Sequence, residues 1–150
     1  PFMSRVGHAF IKQQMRETDA IFAGELSGHY YFRENFYTES SALAALFVAN
    51  LLSQSNKPLS ELIKPIKRYF ASGEINSEVH DTKAVLQTLR EKYSGAGKVI
   101  DLDGFSVEFD AWWFNVRSSN TEPLIRLNLE AKTQAMMQQR RDEILAIIRG

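Results

Sequence analysis

Apolar residues recur along this chain at two spacings, and the change from one to the other marks its elements. Over residues 6–16, Val6, Phe10, Ile11 and Met15 fall on one face of a helix. Lys12, Gln13, Gln14, Arg16 and Glu17 fall on the water side, and Thr18-Asp19 ends the pattern. Residues 20–23 form a short apolar run closed by Gly24, and Tyr30-Tyr31-Phe32 an aromatic one. Both read as strands suited to a pleated surface. Helical spacing returns over 39–52, where Leu43, Leu46, Phe47, Asn50 and Leu51 predict a buried face, with Thr38 or Ser40 as cap. Pro58 opens a further helix whose stripe is Leu59, Leu62, Ile63, Ile66 and Tyr69. Pro65 inside that stripe predicts a kink or a split. Residues 74–79 predict a short strand or a linker.

A domain boundary is expected near Val79, giving parts 1–79 and 80–150. The second part begins with a helix over 82–93, with Val85, Leu86, Leu89 and Tyr93 on one face and Asp81 or Thr82 as cap. Asp103-Gly104 between two apolar runs is a strong hairpin signal. Phe105, Val107 and Phe109 then alternate with Ser106 and Glu108, which predicts one buried and one wet face. Residues 112–116 continue the sheet. Ile125, Leu127 and Leu129 alternate with Arg126, Asn128 and Glu130. A closing helix over 133–149 turns Met136, Met137, Ile144, Leu145 and Ile148 inward. The second part is thus helix, four strands, helix: a small α+β unit with two helices against one face of an antiparallel sheet.

Composition narrows the partners. Eighteen basic and eighteen acidic residues cancel, so no global field draws nucleic acid or an anionic membrane, and any anion site must be local. There is no cysteine, which excludes thiol catalysis and a disulfide framework and is compatible with a reducing cytosol. Apolar runs are too short to span a bilayer. The chain opens on Pro1 with mixed residues, which predicts a piece of something longer.

Two polar bends carry candidate chemistry. Arg117-Ser118-Ser119-Asn120-Thr121-Glu122-Pro123 joins two strand-like runs. Arg117 offers a planar fork to two oxygens at once, and Ser119, Asn120 and Thr121 add donors. Such a turn suits a phosphate; its residue types also suit an ordinary hairpin loop. The other bend is Gly24-Glu25-Leu26-Ser27-Gly28-His29, an acid, a hydroxyl and an imidazole between glycines that let a ligand come close.

Read together, the two bends resemble the sugar-binding and phosphate-binding loops of the α-D-phosphohexomutase superfamily. Val6-Gly7-His8 and Phe10-Ile11-Lys12 resemble the segment before the sugar loop. The likeness runs over the whole chain, in the family's order, and is nearest to the C-terminal part of a phosphomannomutase/phosphoglucomutase. It implies an α+β fold class, with an incomplete α/β third domain (a mixed sheet with helices) and a complete four-stranded antiparallel fourth, in an enzyme that interconverts hexose 6-phosphate and hexose 1-phosphate. A phosphoserine donates to the sugar, a hexose 1,6-bisphosphate turns over, and the phosphoryl group returns from the other end. By resemblance Glu25 and Ser27 contact sugar hydroxyls, His29 and His8 lie at the reacting end, and Arg117, Ser119, Asn120 and Thr121 hold the other phosphate. The Ser-His-Asn-Pro motif and the Asp-rich loop for Mg2+ do not occur here. The expectation is therefore no metal ligand in this chain, no mutase activity of the chain alone, and dependence on N-terminal domains of the same cytoplasmic enzyme. Asn120 and Leu26 favour the hexose enzymes over a phosphoglucosamine mutase. A stand-alone, non-catalytic phosphosugar-binding module and a nucleic-acid or protein-binding α+β domain are the competing classes.

Overall fold

The computed structural model describes residues 1–119 and 122–150. It divides into two compact units, Pro1–Ile66 and Lys67–Gly150.

The first unit opens with helix α1, His8–Thr18, which buries Ile11 and Met15 at helical spacing. Asp19 ends it in the left-handed conformation at φ 49°, one that Asp tolerates. Three short antiparallel strands follow: β1 (Phe22–Gly24), β2 (Tyr30–Phe32) and β3 (Thr38–Glu39), in that spatial order. Tyr31 is fully buried and completes a core of three side chains with Ile11 and Met15. Helix α2, Ser41–Ser55, is capped by the Ser40 side chain, which accepts from the Leu43 N–H at 3.2 Å. Helix α3, Leu59–Ile63, stops short of Pro65, as the ring's clash with the preceding turn requires.

One expectation fails here. The face predicted as buried on α2 is open: Leu46 is 65% exposed and Phe47 61%, and no residue of the helix is buried. The α3 stripe is likewise exposed at Leu59, Ile63, Ile66 and Tyr69. Apolar spacing identified the helices correctly, but it reports what a helix can bury and not what this chain supplies to cover it.

The second unit is a six-stranded antiparallel sheet with two helices. Its elements are β4 (Phe70–Ala71), β5 (Ile75–Glu78), α4 (Thr82–Tyr93), β6 (Lys98–Ile100), β7 (Phe105–Glu108), β8 (Trp112–Ser118), β9 (Leu124–Ala131) and α5 (Gln134–Arg149). The order is β4-β9-β8-β7-β6, with β5 also on β9. The four expected strands are present, and two more lie along the outer edge of β9. Phe70 faces Ala131 and Ala71 faces Glu130, while residues 75–78 run against 127–124. Between them the Ser72 N–H donates to the Leu129 carbonyl at 2.8 Å, and Gly73 takes φ 69° where the edge bends. The division between units thus lies at Ile66/Lys67, not near Val79. A segment with no clear period of its own is held by backbone bonds to a strand fifty residues later in the chain.

The core is what the alternation predicts. Trp112, Phe114 and Val116 of β8, Ile125, Leu127, Leu129 and Ala131 of β9, and Phe105 and Val107 of β7 all point inward. Leu89 and Tyr93 of α4 and Met137, Ile144 and Ile148 of α5 cover them. Trp113, on the opposite face, donates its indole N–H to Glu130 at 3.1 Å. No helix of the described residues is long and apolar enough to cross a membrane.

Candidate functional site

In the first unit the bend between β1 and β2 is closed by two backbone bonds. The Glu25 N–H donates to the His29 carbonyl at 2.9 Å, and the Gly28 N–H to the Glu25 carbonyl at 3.0 Å. Gly28 sits at φ 86°, a conformation that a side chain would strain. This short closure lifts Glu25, Ser27 and His29 together. Ser27 Oγ and His29 Nδ1 are hydrogen-bonded at 2.8 Å. The Tyr31 hydroxyl donates to Glu25 Oε1.

Helix α1 brings the other histidine to this bend. The rings of His8 and His29 lie 4.9 Å apart, edge to face, and the His8 ring lies 5.9 Å from Tyr31. Nδ1 of His8 meets Glu39 Oε2 on β3. A ring nitrogen of each histidine and a carboxylate oxygen of Glu25 all lie within 4.8 Å of one another. Burial pushes the Tyr31 phenol well above its ordinary value, and the anions of Glu25 and Glu39 push it further. It therefore remains a proton donor to Glu25 through the physiological range. The first unit thus gathers His8, Glu25, Ser27 and His29, all four of its expected site residues. Tyr31 and Glu39, which hold two of them, are additions. Tyr31 could have been found, since it is two residues from His29 and period two puts both on one side of a strand. Glu39 needs the β2–β3 pairing, which no local pattern gives.

In the second unit Arg117 is near the end of β8, opposite Arg126 of β9. Its guanidinium is not free. Nη2 donates to Glu74 Oε2 at 3.3 Å, and Nη1 lies 3.8 Å from Asp103 Oδ2. Glu74 also lies 3.6 Å from Arg126, so one carboxylate serves two arginines. A quarter of the Arg117 side chain remains exposed. A guanidinium has five N–H donors, so these contacts leave some for another oxyanion. Gly104 packs beneath it: a Cβ there would lie 2.6 Å from the Val116 carbonyl oxygen and 2.7 Å from Arg117 Cβ. The Ser119 N–H donates to the Leu124 carbonyl at 2.8 Å and closes the bend. The expected contacts Asn120 and Thr121 lie outside the described residues. Glu74, Asp103 and Arg126 escaped the sequence reading because each comes from a different strand or turn.

One bend lies in each of the two compact units. Residues 1–69 match the phosphoglucomutase/phosphomannomutase alpha/beta/alpha domain III, and residues 74–147 match the C-terminal domain of the same family. The chain belongs to the phosphoglucomutase/phosphomannomutase family. It is 48% identical over 145 residues to a phosphomannomutase of Methanocaldococcus jannaschii, covering 97% of this chain and 32% of the relative. It is 43% identical over 152 residues to a phosphomannomutase of Escherichia coli, covering 99% of this chain and 33% of the relative. A crystal structure of a family protein from Burkholderia thailandensis superposes with a TM-score of 0.77 at 29% identity, over 98% of this chain and 32% of that one. The chain therefore spans about a third of the length of the relatives it matches.

Proposed function

We propose that this chain supplies the sugar-reading and phosphate-gripping parts of a phosphohexomutase that interconverts hexose 6-phosphate and hexose 1-phosphate. The observation that carries the reading is the Glu25 bend, where an oriented carboxylate and two imidazoles face the same small space. A carboxylate held by Tyr31 on one oxygen can accept from two neighbouring hydroxyls with its remaining lone pairs. Arg117 grips the phosphate that is not reacting, which puts binding energy remote from the chemistry and holds the sugar in line. The sugar hydroxyl attacks phosphorus as the bond to a serine oxygen breaks, and an imidazole of His29 or His8 takes the hydroxyl proton. The serine, the rest of the cleft and the hexose 1,6-bisphosphate belong to the reading of the whole enzyme, as does a cytoplasmic location, which the cysteine-free sequence suits.

The Mg2+ implied by the family does not fit here. Mg2+ asks for six oxygens in near-octahedral array. Among the described residues the one grouping of potential ligands holds two imidazoles and a single carboxylate. No step is assigned to Mg2+ on this chain.

The test is a titration of the chain with mannose 1-phosphate and glucose 1-phosphate, followed through backbone amide shifts, beside a coupled mutase assay. The expected result is shifts at 24–29 and at 117–119 with no turnover. Shifts at neither bend, or shifts unchanged in both Glu25→Ala and Arg117→Ala, would overturn the reading.

A further inference from the structure

We infer that His8, Glu25 and His29 form a binding site for a divalent transition ion of zinc type. The donors are two imidazole nitrogens and a carboxylate oxygen, all within 4.8 Å of one another. Two histidines and a glutamate are an established protein ligand set for zinc, with water in the fourth position. In a filled tetrahedral site, ligand atoms about 2.0–2.2 Å from the metal stand roughly 3.4 Å apart. Closing the trio needs side-chain movements of about an ångström, which the exposed His8 and the half-buried Glu25 and His29 can make.

Each of the three ligands also has a second group behind it. Metal-binding histidines characteristically give their other ring nitrogen to a carboxylate or another acceptor, which fixes tautomer and ring orientation. His8 Nδ1 meets the Glu39 carboxylate, and His29 Nδ1 meets Ser27 Oγ. Each Nδ1 faces a neighbouring oxygen, and a metal bound through Nε2 would leave both contacts in place. Glu25 is held in the same way, since the Tyr31 hydroxyl occupies Oε1 and leaves Oε2. All three ligands are thus oriented from behind. The donor set is too rich in nitrogen for Mg2+ or Ca2+ and suits zinc, copper, nickel or cobalt. These ligands would hold a metal whether or not the bend reads a sugar. If it does, the ion and the sugar hydroxyls compete for Glu25.

The sequence makes the test clean, because it has no cysteine and three histidines, the third being His80 of the second unit. The metal-stripped 150-residue chain is titrated with Zn2+ by calorimetry and, in parallel, with Mg2+. The expected result is one equivalent of Zn2+ bound and no heat with Mg2+. Affinity falls by about 10- to 100-fold or more in His8→Ala and in His29→Ala, and is unchanged in His80→Ala. Binding weaker than about 1 mM, or binding that survives loss of both His8 and His29, would overturn the inference. Co2+ added to the unaltered chain gives a readout free of any folding effect of the variants. Paramagnetic shifts centred on the amides of His8, Glu25 and His29, with tetrahedral-type visible absorption, are expected. Shifts centred on His80 or spread over surface carboxylates would count against the site.

Discussion

Tyr31 does two jobs: its ring is core and its hydroxyl donates to Glu25. Tyr31→Phe keeps the packing and removes the donor. The expected loss is about 0.5–1.5 kcal/mol of stability, read by thermal unfolding, together with weaker hexose phosphate binding. At Arg117 the balance is electrostatic. Glu74 and Asp103 already face its guanidinium, so a phosphate bound there as proposed would compete with them. Glu74→Gln removes one competitor, and phosphate affinity measured by amide-shift titration should rise by a factor of about 2–10, equivalent to roughly 0.5–1.4 kcal/mol at this partly exposed site. A fall would mean that Glu74 holds Arg117 in its binding pose and does not contend for it. At this scale the sequence was informative about which polar side chains gather at the first bend and silent about what steadies them. Glu25, Ser27 and His29 alternate within one short bend and could be read as a group. Glu39 behind His8, and Glu74 beside Arg117, meet their partners only through tertiary pairing.

Elements with strong local signals were legible nearly to the residue. Helix α4 runs over Thr82–Tyr93 as its spacing predicts, because Asp81 accepts from the Lys83 and Ala84 N–H groups at 3.0 Å and marks its start. The Asp103-Gly104 turn was equally plain, and Gly104 is needed twice over. It takes φ 80°, and a Cβ there would strike the backbone of β8. Gly104→Ala should therefore destabilise the second unit by more than about 1 kcal/mol in denaturant unfolding and shift the Arg117 resonances. Strand β4 was not legible, since two residues leave no period to detect. Helices α4 and α5 meet at Glu143, where burial would raise the carboxyl, but bonds from Lys92, Arg140 and Tyr93 prevail and hold it down at about 2. A carboxyl held below its ordinary 4.5 adds stability that is complete above that pH and drains away as the pH falls towards 2. With allowance for partial exposure the contribution is about 1–2 kcal/mol. Glu143→Gln should flatten the acid limb of the stability profile between those two pH values, as followed by circular dichroism.

Across the molecule the two units differ in how much they bury. The first has Ile11, Met15 and Tyr31 as its fully covered core, whereas the second has a continuous cluster drawn from three strands and two helices. Amide exchange should reflect this: protons of α2 exchange well before those of β8 and β9, and equal protection would contradict the difference. The fold class could be read from periodicity because α+β order is written in the change from helical to alternating spacing. The extent of each unit could not. The open face of α2 and the capture of residues 70–78 by β9 both depend on what else is present to pack or pair. That capture governs how the chain can be divided. Cutting at His80 would seem natural from the sequence, yet it would strip the outer border from β9 and uncover a run of unpaired amides and carbonyls. A piece beginning there would be prone to join its own copies edge to edge, while one beginning at Lys67 would carry its border with it.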